Sequence, residues 1–235
     1  MRLPARSAAD VHLADAFEAP GCPICTELAR TDALWLESIL AESVNDIPFR
    51  QALDHARGLC QRHVREVLDA DRRRAGSLGA AILIRATLVA RLRDLEAVHA
   101  AKGWTRSRRA DAAVRPPACP GCAREASTLA WITGAIVRLA DDQAWADAQG
   151  RAAFCLGHFA LLLRERTTSA GWPAVEARQL ERLRDLRDLL DGFAHTSSHD
   201  RRHLQTDEQR AAVDAAADLL AGDTADVAEA LKRRR

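Results

Sequence analysis

The chain has no tyrosine, one methionine, five tryptophans, five phenylalanines and only two lysines among its 235 residues. Strands draw on aromatic and β-branched side chains, so this shortage argues against a sheet protein. Long apolar runs are also missing. The longest, Leu78–Ile84, has 7 residues, against the roughly 20 needed to span a bilayer. Neither sign of charge dominates, with 34 basic and 33 acidic residues. No global field therefore marks the chain for a polyanionic partner. The phosphate-cradling P-loop, the GxGxxG turn and the GxSxG elbow are absent. So is the zinc-deaminase signature, because no His-x-Glu occurs anywhere.

What is present in excess is 48 Ala, 29 Leu and 32 Arg. These are strong helix formers. The expected fold class is all-α, and 48% hydrophobic residues with 29% charged ones suit a folded, water-exposed protein. Met1–Pro20 carries Arg2, Arg6, Asp10, Asp15 and Glu18 without a continuous apolar stretch or a cleavage signal. A cytoplasmic location without membrane association is the expectation, and in that compartment thiols stay reduced.

The six cysteines are the pointed feature. Cys22-Pro-Ile-Cys25 is followed by Cys60-Gln-Arg-His63, then Cys119-Pro-Gly-Cys122, then Cys155-Leu-Gly-His158. The two CPxC pairs are displaced by 97 residues and the two CxxH pairs by 95, and Gly76 and Gly171 each lie 16 residues after the third cysteine. This reads as an internal repeat. Each set offers three thiolates and one imidazole, the donor set of a closed tetrahedral zinc site. Proline in second place of CPxC suits the first turn of a helix, whose N-terminal dipole favours thiolates. A redox CxxC would need a βαβ context, and haem attachment would need a histidine where Thr26 and Ala123 stand. The expected ligands are Cys22, Cys25, Cys60, His63, Cys119, Cys122, Cys155 and His158. Near-equal spacing favours two sites built within the halves. The alternative interleaves them, giving one all-cysteine site and one of two cysteines and two histidines. Zinc, two per chain, is the expected metal; an iron–sulfur cluster is the alternative.

Periodicity gives each half three helices. In the first half they are Cys25–Val44, Gly58–Arg73 and one from Ser77 carrying Ile84, Leu88, Leu92 and Leu95, with a break at Asn45–Pro48 and a stop at Lys102-Gly103. In the second they are Ala123–Trp145, Ala152–Arg166 and Pro173–Phe193, with a tail helix at Asp207–Ala221. Their apolar stripes read as core. The domains are then an N-terminal extension (1–20), a first repeat (21–102), a basic Pro-containing linker (103–118), a second repeat (119–195) and a C-terminal tail and helix (196–235). His195, His199 and His203, with Asp200, would share one face of a continuous helix, but Thr196-Ser197-Ser198 reads as a helix end. Arginine clusters at 72–74, 106–109 and 233–235 read as solvated faces and helix ends.

The order CPIC, GLCQRH, SLGAAIL, CPGC and FCLGH resembles an uncharacterised bacterial family of all-helical proteins with two CPxC…CxxH pairs. The likeness covers most of Gly21–Gly222. Phe193, His199-Asp200 and Arg202 are similar to its C-terminal pattern, although Arg201 stands at a place that is usually aromatic. The resemblance implies the same eight metal ligands. A zinc-stabilised interaction or regulatory module with a protein partner follows, leaning away from an enzyme because four protein ligands leave no open position on the metal. A thiolate-metal redox sensor is the alternative, and a nucleic-acid regulator using the arginine clusters is the second alternative.

Overall fold

The computed structural model describes residues 3–5, 7–74, 78–114, 119–165, 169–198 and 200–222, with the side chain of Arg202 outside the description. Eleven α-helices and no strand occur among them. They are α1 (Ala8–Glu18), α2 (Pro23–Ala41), α3 (Ile47–His55), α4 (Gln61–Arg73), α5 (Leu78–Ala100), α6 (Gly103–Val114), α7 (Pro120–Leu139), α8 (Gln143–Arg151), α9 (Leu156–Arg164), α10 (Trp172–Thr196) and α11 (Asp207–Ala221). The all-α expectation holds, with the C-terminal helix where it was read. No described helix is long and apolar enough to cross a membrane.

Each half has a short helix more than periodicity gave it. The Asn45–Pro48 stretch breaks the chain as expected, but it also starts α3. Asp46 accepts a hydrogen bond from the Phe49 N–H at 3.0 Å, and Pro48 occupies the first turn. Asp142 does the same for α8, accepting from Ala144 N–H at 3.0 Å, and so divides the expected Ala123–Trp145 helix in two. The basic stretch from Gly103, read as linker, is helical to Val114. Gly103 reverses the chain at φ +52°, a conformation that suits glycine. Arg109 then ties α6 to α5 by donating to the Ala97 carbonyl at 3.0 Å.

The chain divides into two compact units, and they are not the tandem repeats of the sequence. One, the split unit, joins residues 1–30 to 129–235. The other, the inserted unit, is 31–128.

The core of the split unit gathers Leu13, Ile24, Ile136, Trp145, Phe154 and Leu162, each at most 2% exposed. The N-terminal stretch, expected as an extension, is part of this core. Ser7 caps α1, Leu13 is buried, and Phe17 meets the rings of Trp145 and Phe154 edge-on at 5.8 and 6.0 Å. Trp145 donates its indole N–H to the Pro4 carbonyl at 2.9 Å. Gly171, one of the two repeat glycines, has a physical reason. A Cβ there would lie 1.9 Å from the Ala140 carbonyl oxygen, so no side chain fits. Its counterpart Gly76 lies outside the described residues.

The core of the inserted unit gathers Leu36, Ile39, Leu53, Leu59, Val67 and Leu83. Gly58, at φ +98°, lets Thr87 come close enough to accept from the Leu59 N–H at 3.0 Å. One expectation fails here. Of the stripe read as core on α5, Leu88, Leu92 and Leu95 are 66%, 51% and 60% exposed. The helix turns Gly79, Ala80, Leu83 and Thr87 inward instead, and Ala80 and Leu83 join Val67 and Ala70 of α4 in the core of this unit.

Candidate metal centre

All four motif pairs occupy the same local position. Cys22, Cys60, Cys119 and Cys155 each stand immediately before a helix, and Cys25, His63, Cys122 and His158 are the third residues inside it. Helices α2 and α7 start on Pro23 and Pro120, as the CPxC motif requires. Two donors three residues apart therefore face outward from each N-terminus. The N-terminal N–H groups and dipole stabilise negative sulfur there. Cys119 accepts from the Cys122 N–H at 3.5 Å, and Cys60 from the His63 N–H at 3.5 Å.

The N-termini meet in pairs, and the pairing is exchanged. In the split unit the CPxC pair of the first half, Cys22 and Cys25, meets the CxxH pair of the second, Cys155 and His158. In the inserted unit Cys119 and Cys122 meet Cys60 and His63. Every cluster keeps three cysteines and one histidine, but neither pairing considered from sequence is the one formed. The within-half sets and the all-cysteine set are both corrected by this geometry. Spacing could not have revealed it, since two equivalent motif sets look the same whichever partner they take.

The distances are tight. In the split unit His158 Nδ1 lies 3.6, 3.3 and 3.2 Å from the sulfurs of Cys22, Cys25 and Cys155, and Cys25 and Cys155 are 3.8 Å apart. In the inserted unit His63 Nδ1 lies 3.1, 3.2 and 3.6 Å from Cys60, Cys119 and Cys122. Sulfur–sulfur distances there are 3.5 and 3.7 Å. All donor atoms of each cluster fall within 4.8 Å of one another, so both clusters could hold a metal ion.

Electrostatics fits the same use. With only protons to share, each cluster behaves as a thiolate–imidazolium set. Burial opposes charge on His63, but the Cys119 and Cys60 sulfurs outweigh it and push the ring up to about 9. His158 is likewise up at about 9, with Cys155 and Cys22 overcoming its burial. Cys119 falls to about 6 as His63 and the Cys122 N–H overcome its burial. Burial and the crowding of Cys119 and Cys60 push Cys122 up to about 12. The Cys155 and Cys22 sulfurs raise Cys25, while the Cys22 and Cys25 contacts lower Cys155. A cation entering such a set displaces these protons, so acid opposes loading.

The surroundings of the clusters differ. The His63 ring is buried, and Trp35 meets it edge-on at 5.6 Å. His63 Nε2 is buried without a hydrogen-bond partner, 3.7 Å from both Glu66 and Glu125. These carboxylates face the nitrogen that stays free when Nδ1 takes a ligand role, the arrangement that fixes a metal-binding tautomer. Arg62 grips Glu125 and reaches Glu66 at 3.0 Å, and Arg124 pairs with Asp32 at 2.6 Å. Burial and the nearby Glu125 push Asp32 up to about 7. Two residues after Cys25 on α2, the buried Glu27 is held by Arg30 at 2.6 and 2.8 Å. Gly222 follows α11 there, and a Cβ on it would be 3.6 Å from both Cys25 and Cys155 sulfurs. Neither the carboxylate pair nor Gly222 carried a signal in sequence, because both depend on which helices meet.

The other candidates are not gathered. Helix α10 ends at Thr196, so His195, Asp200 and His203 do not share a helical face. His195 Nε2 is 3.0 Å from Arg201 Nη1, and Asp200 is 3.6 Å from Arg201 Nε. His199 lies outside the described residues. Among the arginine clusters, Arg72 pairs with Asp69, Arg108 lies over Trp104, and residues 233–235 lie outside the description.

No curated protein and no solved structure matches the chain. The sequence profile of the family of unknown function DUF6062 matches residues 6–177, which is well over half of the chain and includes all eight cluster residues, and the chain belongs to that family.

Proposed function

We propose that the protein is a helical scaffold fastened by two structural zinc ions. Cys22, Cys25, Cys155 and His158 hold one, and Cys60, His63, Cys119 and Cys122 hold the other. The observation that carries this reading is the size of the clusters. Zinc bound at about 2.3 Å to sulfur and about 2.0 Å to nitrogen sets tetrahedral edges of about 3.8 Å and 3.5 Å. Three of the sulfur–sulfur distances, at 3.5–3.8 Å, and the sulfur–nitrogen distances, at 3.1–3.6 Å, lie close to these edges, and every donor pair is within 4.8 Å. In a four-iron cluster each ligand holds a different iron, so the donors stand further apart than the edges of one tetrahedron. Four protein donors also complete the coordination of the ion and leave no place for substrate or water, which supports an interaction or regulatory role over catalysis.

Elemental analysis of protein purified without added metal tests this reading. It should give two zinc ions per chain and a colourless solution. Iron with inorganic sulfide and a brown colour would replace it with the redox-sensor reading. Less than one ion per chain would end it.

A further inference from the structure

Helix α5 carries a second pattern on the face it turns outward. Positions 78, 81, 85, 88, 92 and 95 alternate in steps of three and four, the spacing of a coiled-coil seam. They are Leu78, Ala81, Arg85, Leu88, Leu92 and Leu95, and all six are exposed. Leu78 is 76% exposed, and the other three leucines are more than half exposed. An isolated exposed leucine is ordinary, whereas a continuous seam of them along one helix marks an interface.

The molecule shows what covers such a seam elsewhere. The displacement of 95 residues that relates the two CxxH pairs carries Leu88 and Leu95 onto Leu183 and Leu190 of α10. Both of these are half-buried, Leu183 against the core of its own unit, and α11 also packs along α10. Helix α6 follows α5 in the same way but is polar, buries no residue of its own and leaves the seam open.

We infer that a second copy of this chain covers it, with the two α5 helices antiparallel across a twofold axis. The charges on the seam select this occupant and this direction. Arg85 sits at a core position, so a parallel pair would set Arg85 against its own copy. In the antiparallel pair, Leu92 of one copy lies beside Leu88 of the other. Arg85 then falls opposite Leu95 and next to Glu96 of the other copy, twice by symmetry. Arg85 and Glu96 are exposed and carry no ion pair among the described residues, so both are available. Flat, self-complementary patches of this kind favour closed dimers.

Sedimentation of the full metal-loaded chain across the micromolar range tests the inference, with metal content measured on every sample. The wild type should be a dimer. Leu92→Glu should raise the dissociation constant more than about a hundredfold, since both copies lose a buried leucine and gain a charge buried against Leu88, and Leu88→Ala should weaken the dimer in the same direction. Metal content and helicity should not change, because these positions touch neither core nor cluster. Arg85→Glu and Glu96→Arg should each weaken the dimer, and the double variant should restore it. A monomeric wild type would overturn the inference, leaving the seam bare or to a different protein. So would a dimer that survives Leu92→Glu, or a charge exchange that fails to restore.

Discussion

A strong chelator should strip both metals from the protein and take most of the helical circular dichroism with them. Folded domains are stable by about 5–15 kcal/mol, and a structural zinc contributes about 10–16 kcal/mol of apparent binding energy in small metal-dependent folds. Losing one ion thus removes an amount comparable to the whole stability of a unit. The composition sharpens the effect, because ten aromatic residues in 235 leave cores made largely of Ala, Leu, Ile and Val. In the split unit the ion also fastens two chain segments that are distant in sequence, with Cys25 and Cys155 130 residues apart. Release should come in two phases. Two donors of the inserted-unit cluster, Cys60 and Cys122, are only partly buried, whereas in the split-unit cluster His158 alone is, and Cys22, Cys25 and Cys155 are 4–6% exposed. The inserted-unit ion should leave first. A colorimetric chelator followed in parallel with the helical signal reads both, and an unchanged melting temperature after complete removal would contradict the account.

Gly121→Ala is expected to disable one cluster and spare the other. Gly121 is the third residue of CPGC, and a Cβ on it would lie 2.3 Å from His63 Nε2 and 2.4 Å from its Cδ2. The ring cannot yield easily, since Trp35 packs against it and it is fully buried. Accommodating the methyl group moves Nδ1 away from the three sulfurs. Loss of one ligand from a four-coordinate site should weaken binding at least about a hundredfold, the upper range found even for disturbing outer partners. The equivalent position of the other motif is Ile24, a buried core residue. Metal content should fall from two ions to one under mild chelation, with the split-unit ion retained. Equal retention of both ions would mean that the His63 ring does not occupy the ligand position described.

Much of this was legible in the sequence, and the part that was not has a common cause. Helix-forming composition and the prolines of CPxC placed α2 and α7 with their cysteine pairs at the helix starts, whereas the CxxH pairs were read inside helices from Gly58 and Ala152 and in fact open α4 and α9. These are local features. Asp46 and Asp142 were equally local, and their capping role was present in the sequence, but Asp46 was read as interruption alone and Asp142 as helix interior. The exchange of CPxC and CxxH partners was not legible, because two similar motif sets leave the choice of partner to tertiary packing. The outward turn of Leu88, Leu92 and Leu95 was hidden for a related reason. An apolar stripe has the same period whether it faces a core or not, and here the opposite face, with Gly79, Ala80, Leu83 and Thr87, is the buried one. The N-terminal stretch has no continuous apolar run and its apolar residues are mostly Ala, so it was read as an extension, yet Phe17 and Leu13 help close the split-unit core.

The exchanged clusters are the central claim, and paired ligand substitutions read them directly through metal stoichiometry. Cys25→Ser with Cys155→Ser touches a single cluster of this structure, so the double variant should keep one ion per chain. Cys25→Ser with Cys60→Ser touches both, and should keep none after the same mild chelation. If sites were built within each half, the two results would trade places. One ion retained by the Cys25–Cys60 pair, and none by the Cys25–Cys155 pair, would contradict the account.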